Sequence, residues 1–221
     1  MKKFVAIAGN IGVGKSTLVA KLCERLDSKP FYEPVAENPY LADFYANMGA
    51  WSFHSQIFFL TRRLRAHYDL AQHPGSVVQD RSVYEDAEIF AQHLFLQGFF
   101  KQRDYDTYRE LYETAAQLLP PPDLLVYLRA SVPTLMKRIS HRGRQFERSI
   151  TPEYLEGLNN LYESWLSNFV LCPVLTIPSD DLDYVAYMGH FNLIASKVQE
   201  KLTGNEEVVF EDEEVARASL G

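Results

Sequence analysis

The feature that most limits the folds open to this chain is the run Gly9-Asn10-Ile11-Gly12-Val13-Gly14-Lys15-Ser16-Thr17. It is preceded by the apolar stretch 4–8 and followed by Leu18, Leu22 and Leu26 at i, i+4 spacing. A buried strand, a glycine loop and an amphipathic helix in that order make the G-x-x-x-x-G-K-[ST] unit of a parallel α/β sheet. Glycines let the loop curl until successive N–H groups converge on an oxyanion, and the helix adds its positive end. Lys15 reaches the β- and γ-phosphates, and the Ser16 hydroxyl ligates Mg²⁺. The plainer alternative, a tight glycine turn beside a solvated lysine, leaves the whole motif and its in-register hydroxyl as coincidence. The loop implies a nucleoside triphosphate without fixing the reaction. The chain has no Asn-Lys-x-Asp run for reading guanine, and a motor or helicase needs more chain or a ring.

The remaining sequence alternates in the same way. Further strands are expected at 31–33, 76–80, 124–128 and 174–177. Helices are expected at 39–48, 52–71, 85–96, 104–119, 132–141, 151–169 and 182–202. Leu124-Leu-Val-Tyr-Leu128 is apolar throughout, as suits a strand covered on both faces. Alternation of this kind gives an α/β fold with helices around a parallel sheet. Long connections after the second and third strands place helical mass over the carboxyl edge, where such sheets bind ligands.

Length and charge set the outer limits. The 221 residues suffice for one domain over 1–203 with a small lid near 141–149. Residues 204–221 hold six acidic side chains against the single base Arg217, so most of the net charge of −7 belongs to a tail with little fixed structure expected. A nearly neutral body is a poor nucleic-acid surface. No apolar run spans a bilayer and no secretory signal is read at the start, so a cytoplasmic, membrane-free protein is expected. Cys23 and Cys172 are too few for a disulfide framework, and the six histidines have no metal-site spacing.

Charges at strand ends carry the chemistry. Glu33 precedes Pro34 at the end of the second strand, as either a base facing the loop or a solvated glutamate. Asp80 ends the third strand as a metal-side carboxylate with Arg81 beside it for phosphate, or the two form a structural salt bridge. Gln56 and Arg63, seven apart, share one helical face, and Asp86 and Phe90, four apart, share another. Together they can read and stack on a base; taken singly, each is an ordinary surface or core residue. Arg138, Arg142, Arg144 and Arg148 fall within eleven positions around Gly143, suited to a lid over transferring phosphate or to a solubilising loop.

The motifs together resemble the deoxynucleoside kinase family over about residues 3–200. They are GNIGVGKST at 9–17, EPVAENPYLADFY at 33–45, WSFHSQIFFLTRR at 51–63, QDRSVYEDAEIFA at 79–91, RISHRGRQFE at 138–147 and PEYLEGLNNLYESWL at 152–166. The likeness is greatest to bacterial deoxyadenosine and deoxycytidine kinases. It implies a five-stranded parallel sheet in the order 2-3-1-4-5, with ATP and Mg²⁺ as cofactors and a deoxynucleoside as acceptor. By resemblance, Glu33 is the base for the 5′-hydroxyl and Arg81 stands beside that oxygen. Tyr45 and Glu147 hold the sugar 3′-hydroxyl, and Gln56, Arg63 and Asp86 read the base against Phe90. Arg138, Arg142 and Arg144 form the lid, and a homodimer is implied through long helices such as 52–71. Adenine satisfies Asp86 with its amino group and Arg63 with N7. Cytosine does nearly as well, and guanine O6 does not suit a carboxylate. The competing functions are the same chemistry on deoxyguanosine or deoxycytidine, a nucleoside monophosphate kinase, and a noncatalytic nucleotide-binding domain.

Overall fold

The computed structural model describes residues 2–32, 37–205 and 208–219. Strands β1 (Phe4–Gly9), β2 (Lys29–Phe31), β3 (Val77–Asp80), β4 (Leu124–Arg129) and β5 (Val174–Pro178) form one sheet in the order β2-β3-β1-β4-β5. Every pairing is parallel, and β1 lies at the centre with Ile7 opposite Asp80 and Gly9 opposite Leu128. The expected order is therefore the observed one. β2 sits two residues earlier than expected, leaving Tyr32 beyond the strand.

Strand periodicity sorts the core into two layers. Val5 and Ile7 of β1 face a layer made by α1 (Lys15–Leu26), α7 (Val132–Arg142) and α9 (Met188–Leu202), through Leu18, Leu22, Leu135, Ile139, Ile194 and Val198. Phe4, Ala6 and Ala8 face the opposite layer, where Leu70, Leu158 and Tyr162 pack from α3 (Met48–Gln72) and α8 (Pro152–Ser167). The helical mass expected above the sheet edge forms a third cluster. It joins α2 (Leu41–Ala46), α3 and α6 (Gln102–Ala116) with the helix that follows β3, through Phe44, Leu60, Val83, Leu94 and Tyr108. That last helix is not regular: α4 (Val83–Glu85) passes through a π-helical stretch, Asp86–Ala91, into α5 (Gln92–Leu96). A wider turn of this kind often marks a functional site, and here it carries Asp86 and Phe90.

The C-terminal segment differs from the expectation of little fixed structure. Asp212–Ala218 forms a helix, α10, against α9. Apolar residues account for the difference, because Val208 is buried and Phe210 and Val215 pack on the core beneath α9. Charge counting alone overlooked them. Among the described residues, no helix is long and apolar enough to cross a membrane.

Candidate active site

The phosphate loop is held open by close packing around its glycines. Gly14 has φ 108°, and a Cβ there would lie 2.4 Å from the Tyr184 hydroxyl. Gly12, at φ 83°, would meet Ile139 at 2.6 Å. Both positions therefore need glycine on conformational and steric grounds. Lys15 donates to the carbonyls of Gly9 and Asn10 at 2.7 and 3.0 Å, curled over the loop. The Ser16 hydroxyl donates to an Asp80 carboxylate oxygen at 2.5 Å, across the β1–β3 edge. A hydroxyl beside a carboxylate is a hard-oxygen donor pair whose chemistry would suit Mg²⁺. Among the described residues, no cluster of three or more His, Cys, Asp or Glu forms a self-sufficient metal cage.

A cavity of about 840 Å³ opens above the sheet edge. Its lining includes Ile11 to Thr17, Asp80, Arg81, Arg138, Arg142 and Arg144, together with Tyr45, Gln56, Asp86, Phe90 and Glu147. Gly9, Asn10 and Arg63 stand behind this wall. Asn10 is buried and donates to Leu155 O at 3.0 Å and Asn159 Oδ1 at 2.8 Å, so its side chain ties the loop to α8. Arg63 is buried against the Asp86 carboxylate and donates to the Arg81 carbonyl at 3.3 Å. It fixes the carboxylate's orientation from behind. Gln56 is also buried, yet its Oε1 has no hydrogen-bond partner among the described residues. A buried acceptor left open on a cavity wall is costly unless a ligand donor meets it. Glu33, the expected base, lies outside the described residues.

Arg81 has φ 65°, a left-handed conformation unusual for any residue but glycine. Its guanidinium stacks 4.1 Å above the Phe90 ring and donates to the Tyr162 hydroxyl at 3.3 Å. Behind it is a residue that the sequence reading missed, the fully buried Glu85. Its carboxylate accepts from Gly9 N at 3.1 Å and Ser82 N at 2.9 Å, and lies 2.8 Å from the Tyr162 hydroxyl. Burial, and next the Glu85 charge, pushes the Tyr162 phenol well above its ordinary value. The signal for Glu85 was present, because Ser82-x-x-Glu85 has capping-box spacing and both reciprocal bonds form. Tyr184 and the cavity-lining Phe44, Phe59 and Tyr154 were missed too. They look like core aromatics in sequence, and burial pushes the Tyr154 phenol up to about 12.

The arginine-rich segment is compact. α7 ends at Gly143, and a 3₁₀ turn covers Gln145–Ser149. Arg138 donates to Val13 O and Ser179 O, each at 2.8 Å, so it already spans the phosphate loop and the end of β5. Arg142 grips the buried Glu147 through two bonds of 3.0 and 2.6 Å, and Arg144 approaches the same carboxylate at 3.5 Å.

Comparison with known proteins gives a consistent result. The family model described as deoxynucleoside kinase matches residues 5–203. The chain is similar to the deoxyadenosine/deoxycytidine kinase of Bacillus subtilis, at 41% identity over 81% of this chain and 83% of that protein. It is also similar to the deoxyguanosine kinase of the same organism, at 34% identity over 89% of this chain and 96% of that one. Among solved structures, deoxyadenosine kinase from M. mycoides with bound dATP superposes with a TM-score of 0.79 at 33% identity, covering 89% of this chain and 99% of that one.

Proposed function

Because the chain belongs to the deoxynucleoside kinase family, we propose that it transfers the γ-phosphoryl group of ATP to the 5′-hydroxyl of deoxyadenosine in preference to other deoxynucleosides. The observation that carries this reading is one cavity joining the phosphate loop to the Gln56, Asp86 and Phe90 wall. Asp86 accepts from the adenine amino group, Arg63 orients it from behind, and Gln56 offers its open acceptor. The names of the Bacillus subtilis relative and the M. mycoides structure support adenine, with cytosine as the nearest rival.

The chemistry then follows from placement. The loop and Lys15 hold the ATP phosphates, while Tyr45 and Glu147 hold the sugar. Glu33 accepts the 5′-hydroxyl proton as that oxygen attacks the γ-phosphorus in line, and the bond to the departing ADP oxygen breaks. Arg81, Arg138, Arg142 and Arg144 neutralise the transferring group, so catalysis is mainly positioning and electrostatics. Ser16 and Asp80 would hold Mg²⁺, which supplies charge neutralisation at the phosphates. Incoming phosphates compete with Glu147 for Arg142 and Arg144, which links lid closure to recognition of the sugar. We also infer a homodimer through long helices, with α3 the candidate because Tyr68 is exposed on it; light scattering checks this.

Labelled ATP with the four deoxynucleosides and their monophosphates tests the reading. The expected product is deoxyadenosine 5′-monophosphate, with the highest kcat/KM on deoxyadenosine. Glu33→Gln is expected to lower kcat by about 100-fold or more with little change in substrate affinity. A higher kcat/KM on deoxyguanosine or deoxycytidine reassigns the base, and transfer only to a monophosphate reassigns the acceptor. ATP hydrolysis without any acceptor-dependent product rejects the proposal.

A further inference from the structure

We propose that His190 and the C-terminal helix α10 position the ATP-side wall of the cavity, so that the acidic end of the chain tunes affinity for the phosphate donor and not for the deoxynucleoside. The inference rests on the kinase reading above and deepens it. The segment after β5 supplies Leu182, Asp183, Tyr184 and Val185 to the cavity beside the phosphate loop. β5 is one edge of the sheet, whereas Gln56 on α3 and Asp86 after β3 belong to the connections on either side of β3, across the central β1 from β5. Tyr184 is buried and donates its hydroxyl to Gly14 O at 3.0 Å. A shift of this segment therefore reaches the loop glycine directly.

Two contacts hold the segment. The Asp183 carboxylate accepts from Val185 N and Ala186 N at 3.0 Å each, closing a local turn. The Asp183 N–H donates to His190 Nδ1 at 2.9 Å. His190 is buried in the first turn of α9, and its Nδ1 acts as an acceptor, which places the ring proton on Nε2. Nε2 then donates to Ser219 Oγ at 2.7 Å, just past α10. α10 is itself fixed by the Lys197–Glu214 pair at 2.9 Å and by the buried Val208 at the start of its segment. The approach is close: a Cβ on Gly189 would lie 2.1 Å from Ala218 O. A tail that served only solubility would have no need of this seat. The path thus runs from α10 through Ser219, His190, Asp183 and Tyr184 to Gly14.

The test uses the full chain and three variants. Gly189→Ala pushes α10 off its seat, His190→Ala removes the ring, and His190→Asn offers an amide oxygen near the place of Nδ1. Initial rates are measured with ATP varied at saturating deoxyadenosine, and then the reverse. ATP affinity is also measured directly by calorimetry without acceptor. Gly189→Ala and His190→Ala are expected to raise the ATP KM and Kd about 3- to 10-fold, the scale of one buried hydrogen-bonded contact. The deoxyadenosine KM and kcat should stay within about twofold, and His190→Asn should recover part of the loss. An unchanged ATP Kd in both disruptive variants overturns the proposal. So does an equal rise in both KM values, which would mark a general loosening. Truncation after Thr203 is a further arm expected to follow Gly189→Ala; because it removes buried Val208, Gly189→Ala decides if that protein does not fold. Failure of the unaltered chain to phosphorylate any deoxynucleoside would count against the kinase reading, and the calorimetric arm would still decide this one.

Discussion

Arg81 occupies a backbone conformation that costs about 1–3 kcal/mol for a residue with a side chain. The surrounding contacts over-determine it: Phe90 below the guanidinium, Tyr162 accepting from it, and Glu85 4.0 Å away. Glu85 also reaches Gly9 N, so one carboxylate ties the first glycine of the phosphate loop to the arginine expected beside the reacting oxygen. Glu85→Gln keeps the volume and removes the charge. It is expected to lower kcat about 10- to 100-fold, because hydrogen bonds to charged groups are worth about 1.5–3 kcal/mol. ATP KM should change far less, and steady-state kinetics checks the split; a normal kcat would contradict the role. Lys15, Ser16 and Asp80 were legible because spacing and strand ends define them. For Glu85 the sequence shows its capping-box place after Ser82 but not its bond to Gly9, 76 positions away, and Tyr162 meets the same glycine across 153 positions.

At the scale of elements, pattern reading placed four of the five described strands closely and β2 two residues late, and its misses have local causes. α3 begins at Met48 and not at residue 52, because Asn47 caps it by accepting from Ala50 N at 3.2 Å. The π-helical turn at Asp86–Ala91 has no signature in a hydrophobic period tuned to 3.6 residues. α10 was hidden beneath its own charge. α8 begins at a cap that the sequence does advertise: Thr151 Oγ1 accepts from Tyr154 N at 3.2 Å, with Pro152 in the first turn. Removing that cap by Thr151→Ala should cost about 1 kcal/mol in urea denaturation, with Thr151→Ser restoring most of it. No loss on Thr151→Ala would mean that packing alone fixes the start of α8. The helix matters beyond stability, since Asn159 and Tyr162 on it both bond to the phosphate loop.

Across the whole molecule, two buried histidines tie stability to pH. Burial holds His67 and His93 below the ordinary imidazole value. His67 Nε2 lies 2.8 Å from Pro120 O, and His93 packs so close to α8 that a Cβ on Gly157 would meet its ring at 2.3 Å. In the unfolded chain both titrate near about 6.5, so below that pH the unfolded state binds more protons than the folded one. Their effect is absent at neutral pH and grows as pH falls from about 6.5 toward the depressed folded values. The melting temperature should therefore drop between about pH 7 and pH 5.5. Replacing both histidines with glutamine should flatten that slope, and an unaltered slope would remove them from the account.

The chain crosses between the two halves of its sheet only once, on the way from β3 to β4. Everything before the crossing supplies the phosphate loop, Asp80 and the Gln56, Asp86 and Phe90 wall of the cavity, while everything after it supplies the arginine-rich segment, Glu147 and Tyr184. A cut in the connection between α6 and β4 would thus yield two half-enzymes, each inert by itself. Their turnover would report the moment when the fragments meet along the β1–β4 seam.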